Sequence, residues 1–278
     1  MKKQFKKVYI EISNVCNLKC PFCAPTSRSN EVMTAEKFAH IVKEVKNYSD
    51  YIYLHVKGEP LIHPQFSEIL NIAQENGIKV NITTNGVALE KAADILFAST
   101  ATHQINISLH SIVCLNDKDK EKYLSSIYNF IAKASQIKSF FVSLRLWIKN
   151  DELNTYVLNY LGQKLNKEIT ISRKSIIDNV YISTDEEFAW PNLSAPLISS
   201  QGYCWGTRDQ IAILVNGDVV PCCLDADGII TLGNIYTESL TSILNKPKFL
   251  AIKAGFENGK VVEELCQKCS YRLRFQKK

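Results

Sequence analysis

No apolar run in this 278-residue chain approaches the ~20 residues needed to cross a bilayer; one of the purest, Ile211 to Val215, is five residues long. A helical membrane span is thereby excluded. Low-complexity tracts and internal repeats are also missing, which excludes linker-like, fibrous and solenoid chains. The basic start, from Met1 to Lys7, is followed by an apolar stretch of a few residues that already contains Glu11, so it does not make a secretory signal and a cytoplasmic chain is expected. Strong charge of one sign is absent too: the net charge is +5, with 46% hydrophobic and 22% charged residues, the balance of an ordinary folded protein. Much of the positive charge sits at the ends, in Lys2, Lys3, Lys6 and Lys7 and again in Arg272, Arg274, Lys277 and Lys278. Such ends read as solvated faces, with RNA or another polyanion as the alternative partner, although no nucleic-acid motif accompanies them. The length suits one large domain, or one of roughly 200 residues with an appendage.

What the chain has is cysteine. There are nine, and they cluster. Short spacing in a chain without an export signal favours metal ligation over disulfides.

Lys7 to Ser13 alternates and is β-branched, a strand running directly into the first cysteine. Thr34 to Val45 carries Phe38, Ile41, Val42 and Val45 at helical spacing behind a Thr N-cap. Strands over Tyr51–Val56, Lys79–Thr83, Gln104–Leu109, Phe140–Trp147 and Glu168–Ser172 then alternate with helices over Gln65–Asn76, Leu89–Phe97, Lys120–Ser135 and Leu153–Leu165. Six strands alternating with helices are expected to make an α/β fold, a parallel sheet or barrel. Trp190 through Gly202 reads as an irregular linker, which places a first domain at 1–175, a linker at 176–203 and a second module at 204–278. In that module Asn216-Gly217 is a hairpin turn, followed by one helix over Ser239–Ala254 and a closing Cys266-x-x-Cys269.

Cys16-Asn-Leu-Lys-Cys20-Pro-Phe-Cys23 places three thiols within eight residues. Three close thiolates suit either zinc or an iron–sulfur cluster. Structural zinc sites are usually built from two pairs, whereas a lone triplet can hold three irons of a cubane and leave the fourth open. Cys-x-x-x-Cys-x-Phe-Cys after a first strand resembles the signature of the radical S-adenosylmethionine (SAM) superfamily. That resemblance implies a partial (β/α)6 barrel over about Val8 to Ser172, with a [4Fe–4S] cluster on Cys16, Cys20 and Cys23. It also implies SAM chelated to the open iron and reductively cleaved to a 5′-deoxyadenosyl radical that abstracts a hydrogen atom from a substrate. The family's SAM contacts fall on Phe22, on Gly58-Glu59-Pro60 with Lys57 in place of a first glycine, on Thr84 and Asn85, on Ser108 and on Arg145. Each is at or near the carboxyl end of an expected strand, where ligands of parallel sheets bind.

Past the linker lie Cys204, Cys222, Cys223, Cys266 and Cys269. Cys-x-x-Cys alone can be zinc, redox or cluster. The series resembles the SPASM or shorter twitch modules of radical SAM enzymes, a hairpin plus helix that binds auxiliary [4Fe–4S] clusters. A full SPASM module has about seven cysteines for two clusters, so five imply one here, for two clusters in all. Cys204, Cys222, Cys266 and Cys269 are the expected ligands; Cys222 follows Pro221 as in the family pattern, leaving Cys223 as a small buried hydrophobe. The 17 residues between Cys204 and Cys222 are similar to the single-cluster layout of radical SAM alcohol dehydrogenases. Cys114 is expected to pack.

Polar residues expected near the barrel mouth are His55, Lys57, His110, Arg145, Trp147, Arg208, Asp225 and Asp227, with His110, Asp225, Asp227 and Arg208 as catalytic candidates and His63 as a loop stabiliser. The expected activity is that of an oxidoreductase, a dehydrogenation or related modification of a small or mid-sized polar substrate with the auxiliary cluster as electron acceptor. A reductant such as flavodoxin or ferredoxin is the implied partner. The first strand begins about seven residues from Met1, so the extra N-terminal recognition domain common in peptide-modifying members is not expected, though a peptide or RNA maturase stays open as the alternative. From another class, the chain could be a non-catalytic iron–sulfur or zinc-binding protein.

Overall fold

The computed structural model describes residues 3–147, 150–171, 175–185 and 188–275. The expected alternation is present: β1 (Lys7–Ile10), α1 (Ala35–Val45), β2 (Tyr51–Tyr53), α2 (Phe66–Glu75), β3 (Lys79–Thr84), α3 (Leu89–Ala98), β4 (Thr102–Ser108), α4 (Asp117–Ala134), β5 (Phe141–Leu146) and α5 (Asp151–Leu165). After these come β6 (Ser175–Ile177), β7 (Val180–Thr184), the hairpin β8 (Gln210–Ile213) and β9 (Asp218–Val220), β10 (Gly233–Asn234), and helices α6 (Leu240–Leu244), α7 (Pro247–Glu257) and α8 (Glu264–Gln267). One ten-stranded sheet runs in the order β10-β9-β8-β1-β2-β3-β4-β5-β7-β6. From β8 to β7 every pairing is parallel, and β6, β9 and β10 pair antiparallel at the two edges. The core is the partial α/β barrel of six parallel strands, β1 to β5 and β7.

Fully covered parallel strands are usually apolar throughout. Here they alternate. Val8, Ile10, Ile52, Val80, Ile82, Ile105, Ile107, Val142 and Leu144 are buried in the main core with Phe38, Ile41, Val42 and Val45 of α1 and Ile69 and Leu70 of α2. Their neighbours in sequence, among them Tyr9, Glu11, Tyr53, Asn81, Thr83, Gln104, Asn106, Ser108, Ser143 and Arg145, point to the other face, because successive side chains alternate across a strand. The helix-free face is therefore polar and lines an interior able to take a polar guest. Thr34 caps α1 as expected, its side chain accepting from the Lys37 N–H.

Three expectations are corrected. The sixth strand is not at 168–172, of which Ser172 lies outside the described residues. Asn166 takes a left-handed conformation (φ 52) and ends α5 in a turn, while the alternating Val180-Tyr-Ile-Ser-Thr184 pairs with β5. The barrel thus extends past the boundary expected at 175, into the stretch taken as linker. The helix expected over Ser239–Ala254 is two, because Pro247 has no N–H to give and starts a new helix at its first turn. Finally, the second module is not separate from the sheet: β8 pairs along the free edge of β1, from Lys7↔Gln210 to Ile10↔Ile213. Among the described residues no helix is long and apolar enough to cross a membrane.

Candidate functional site

The first three cysteines sit on a loop after β1 whose two ends are cinched together. Ser13 bridges Val32, the Asn14 amide donates to the Ser29 carbonyl at 2.7 Å, and its oxygen accepts from the Glu31 N–H at 2.7 Å. Glu11, just past β1, is wholly buried and forms a bidentate pair with Arg28 of the loop, both bonds 2.7 Å. It also accepts from the Lys57 N–H and the Val215 N–H, each at 3.1 Å. One carboxylate thus ties together the cysteine loop, the end of β2 and the hairpin of the second module. Gly58 completes this seat. With φ +77, a Cβ there would lie 2.2 Å from the Ser13 carbonyl oxygen, so only glycine lets the two loops approach.

Cys16 and Cys23 are exposed and Cys20 is half-buried. Donors surround them: the Leu18 N–H and the Asn85 amide reach Cys16 Sγ at 3.5 and 3.7 Å, and Lys57 Nζ reaches Cys23 Sγ at 3.3 Å. Burial pushes the Cys16 and Cys20 thiols up, and the Cys114 thiol, 3.4 Å from Cys20 Sγ, adds to the shift. A thiol held protonated in this way would release its proton to solvent when a metal binds the sulfur, and the donors would then stabilise the thiolate. The loop therefore fits a cluster with three cysteine ligands. Cys114, expected merely to pack, touches one of them.

The other residues expected at SAM divide. The Phe22 ring meets His110 edge-on at 4.6 Å, and its carbonyl accepts from Trp190 Nε1 at 2.9 Å. The Glu59 carboxylate is not available to a ligand: it is buried, accepting from Leu61 N at 3.0 Å, Thr84 Oγ1 at 2.7 Å and Asn85 N at 2.7 Å. Burial raises it to about 7 despite these donors. Glu59, Pro60 and Thr84 thus lock the ends of β2 and β3 together. Ser108 ends β4 beside Arg145 of β5. Arg145 lies over the Trp147 ring at 4.4 Å and donates to Thr83 Oγ1 at 3.3 Å; the same hydroxyl meets His55 Nε2 at 3.2 Å. His55 Nδ1 is buried with no partner among the described residues, and burial with the charges of Arg145 and Lys7 lowers His55 to about 3. His110 is lowered to about 4 by burial.

Four cysteines of the second module line one cavity: Cys204, Cys222, Cys266 and Cys269, with Leu224, Leu265 and Arg272 among the walls. Burial pushes Cys204 up to about 11 and Cys222 and Cys266 further. Four enclosed thiols in apolar walls suit a fully protein-ligated metal site. Among the described residues no three metal-binding side chains converge on a single ion position. Cys223 lies outside the cavity and shares a side-chain hydrogen bond with Tyr9, whose ring is 5.0 Å from Tyr53 and 5.3 Å from His55.

Three of the catalytic candidates sit in separate settings. Arg208 precedes β8, whose register with β1 puts it at the amino ends of the strands, over Trp205 and away from the cysteine loop. Asp225 is buried and holds a turn by accepting from the Ile229 and Ile230 N–H groups, and Asp227 accepts from Thr26 at 2.5 Å. His63 does stabilise its loop, contacting the Met33 carbonyl at 2.9 Å. The basic ends are partly paired: Lys3 with Asp50, the still exposed Lys6 with Asp209 and Arg274 with Asp185, while Lys7 is exposed and Arg272 is buried; Lys2, Lys277 and Lys278 lie outside the described residues. Missed from sequence were Glu11, Tyr9 and Tyr53; their signal was the period-two alternation in strands that a parallel sheet usually fills with apolar residues.

A sequence model of the radical SAM superfamily matches residues 10–135, and one of the SPASM iron–sulfur cluster-binding domain matches residues 204–270. Together the two matches support a radical SAM enzyme with a C-terminal SPASM module. The chain is 30% identical over 125 residues to a probable GTP 3′,8-cyclase of Methanococcus maripaludis, covering 44% of this chain and 40% of that one. A probable GTP 3′,8-cyclase of Methanocaldococcus jannaschii is 24% identical over 274 residues, 82% of this chain and 88% of that one. The first curated relatives are matched over only 40%, 38% and 38% of their own length. Among solved structures, BtrN in complex with AdoMet and 2-DOIA superposes with a TM-score of 0.59 at 17% identity, over 97% of this chain and 94% of that one, a likeness of fold.

Proposed function

We propose that this chain is a radical SAM oxidoreductase with two [4Fe–4S] clusters, one on Cys16, Cys20 and Cys23 and a closed auxiliary one on Cys204, Cys222, Cys266 and Cys269. The observation that carries the reading is the polar interior of the barrel: it lies below the cysteine loop and meets the four-cysteine module through the Tyr9–Cys223 contact. When bound, the first cluster and SAM supply one-electron cleavage and hydrogen-atom abstraction. The chain's residues prepare the rest. Arg145 and Thr83 orient a polar substrate, Tyr9 and Tyr53 wall it, and the helix-packed strands exclude water. His55, held neutral by burial and by the charges of Arg145 and Lys7, meets the Thr83 hydroxyl and helps to fix the polar wall that faces a substrate. The auxiliary site, with all its ligands from protein, suits electron transfer better than substrate binding.

Anaerobic reconstitution tests this. About eight irons per chain, and 5′-deoxyadenosine on adding dithionite and SAM, are expected. About four irons would return the second site to zinc, and failure to bind SAM at all would refute the enzyme. A second reading, radical modification of a nucleotide, peptide or RNA, draws on the sequence relatives named as GTP cyclases. It is separated by the fate of the auxiliary cluster in a turnover with substrate, since only oxidation leaves that cluster reduced.

A further inference from the structure

Arg272 is 1% exposed, the largest fully buried side chain among the described residues. Nothing in its sequence position at a basic end announces this. Its Nε donates to the Cys266 carbonyl at 2.9 Å, Nη1 to the Gln201 carbonyl at 2.8 Å, and Nη2 to the Ser199 carbonyl. Gly202, at φ +133, makes room for it: a Cβ there would stand 2.3 Å from Nη1. The guanidinium also lines the cavity of Cys204, Cys222, Cys266 and Cys269. Among the described residues no carboxylate pairs with it. Asp225, the other charged residue of that wall, is committed to the Ile229 and Ile230 N–H groups. Three neutral carbonyls satisfy three donors and leave a full positive charge buried, and an uncompensated buried charge is strongly destabilising. A fully thiolate-ligated cluster brings an excess of negative charge into the same space.

We infer that Arg272 is the fixed counter-charge of the four-cysteine cavity, a positioned guanidinium that favours the reduced state of a cluster held there and so sets it up to receive an electron. The inference rests on the reading that these cysteines hold an iron–sulfur cluster. Reduction adds negative charge, and a cation clamped beside the ligands, unable to swing into solvent, favours the more negative state. The three carbonyls belong to the ligand loop and to the segment just before Cys204, so the same fork fixes both halves of the site.

The test uses the full chain in a Cys16→Ala, Cys20→Ala, Cys23→Ala background, so that electron paramagnetic resonance reads the second cluster alone during a redox titration. Arg272→Gln should shift the reduction equilibrium at least tenfold towards the oxidised form, about 59 mV for one electron. Arg272→Lys, which keeps the charge, should stay within about threefold of the parent. An unchanged potential in Arg272→Gln, or an equal fall in Arg272→Lys, overturns the inference. Should Arg272→Gln take up no iron, Arg272→Lys decides: a cluster at the parent potential supports a charge role, and loss of iron from both variants reduces Arg272 to a structural clamp and overturns it. A parent that binds no iron removes the cluster reading, and the inference with it, before any variant is compared.

Discussion

The Glu11–Arg28 pair joins three parts of the site through one carboxylate, so Glu11→Ala should show whether the seat of the cysteine loop is a single cooperative unit. Glu11 is 0% exposed and the Arg28 side chain 13%. Removing one partner of a buried ion pair costs about 3–5 kcal/mol, largely because the survivor's charge stays buried. The slight exposure of Arg28 lets its head reach water in part, which pulls towards the lower figure. Two backbone N–H groups, of Lys57 and Val215, lose their acceptor as well, at about 1–3 kcal/mol each where water cannot replace it. A total of about 5 kcal/mol or more is expected, a large share of the about 5–15 kcal/mol that holds a protein folded. Urea unfolding of the metal-free chain measures it as a drop in midpoint at constant slope. Arg28→Ala alone should cost less, and the double variant should be less destabilised than the sum, with a coupling of about 2 kcal/mol. A loss under about 1 kcal/mol for Glu11→Ala, or strict additivity in the cycle, would refute the reasoning.

Gly58→Ala should cost at least about 2 kcal/mol, from left-handed backbone at a residue with a Cβ and the contact with the Ser13 carbonyl, and should lower iron uptake at the triplet; unfolding together with iron analysis checks both. Glu59 gives a pH signature. Its folded value of about 7 lies above the usual 4.5, so the folded chain keeps a proton that the unfolded chain releases, and this group's contribution falls by about 3 kcal/mol as pH rises from about 4.5 to about 7. Glu59→Gln should flatten urea midpoints measured across that range, where Cys16 and Tyr123, the titratable neighbours of Glu59, do not ionise; parallel profiles for the two proteins would contradict the assignment. Cys222→Ser should remove about four irons per chain and Cys223→Ser none, read by iron and sulfide analysis; loss in Cys223→Ser alone would reverse their roles, and equal losses would refute the distinction.

Local features decided much of this protein in sequence. The Cys16–Cys23 spacing, the Thr34 cap and the Asn216-Gly217 turn depend on neighbours within a few residues, and so they were readable one after another. Pro247 was equally local, a signal overridden by the apolar pattern running across it. The sixth strand was harder, since a short β-branched stretch becomes a strand only where a partner edge is free, and the left-handed turn at Asn166 delivered Val180–Thr184 to β5 instead of the stretch before it.

Charge was the least legible. Sequence shows Glu11, Arg28, Arg272 and Asp225 only as charged residues, which usually lie in water. Whether each is solvated, paired or enclosed depends on chain segments far away: Glu11 on Val215, Arg272 on Ser199, Cys222 on Cys266. The sequence by itself determined the spacing of the cysteines and the succession of strands and helices, because spacing and period are properties of adjacent residues. Tertiary structure alone decided which face of the strands became a polar interior, which cysteine of the 222–223 pair faced the cavity, and which charges were drawn inside, because those depend on long-range packing that brings distant segments within a few ångströms.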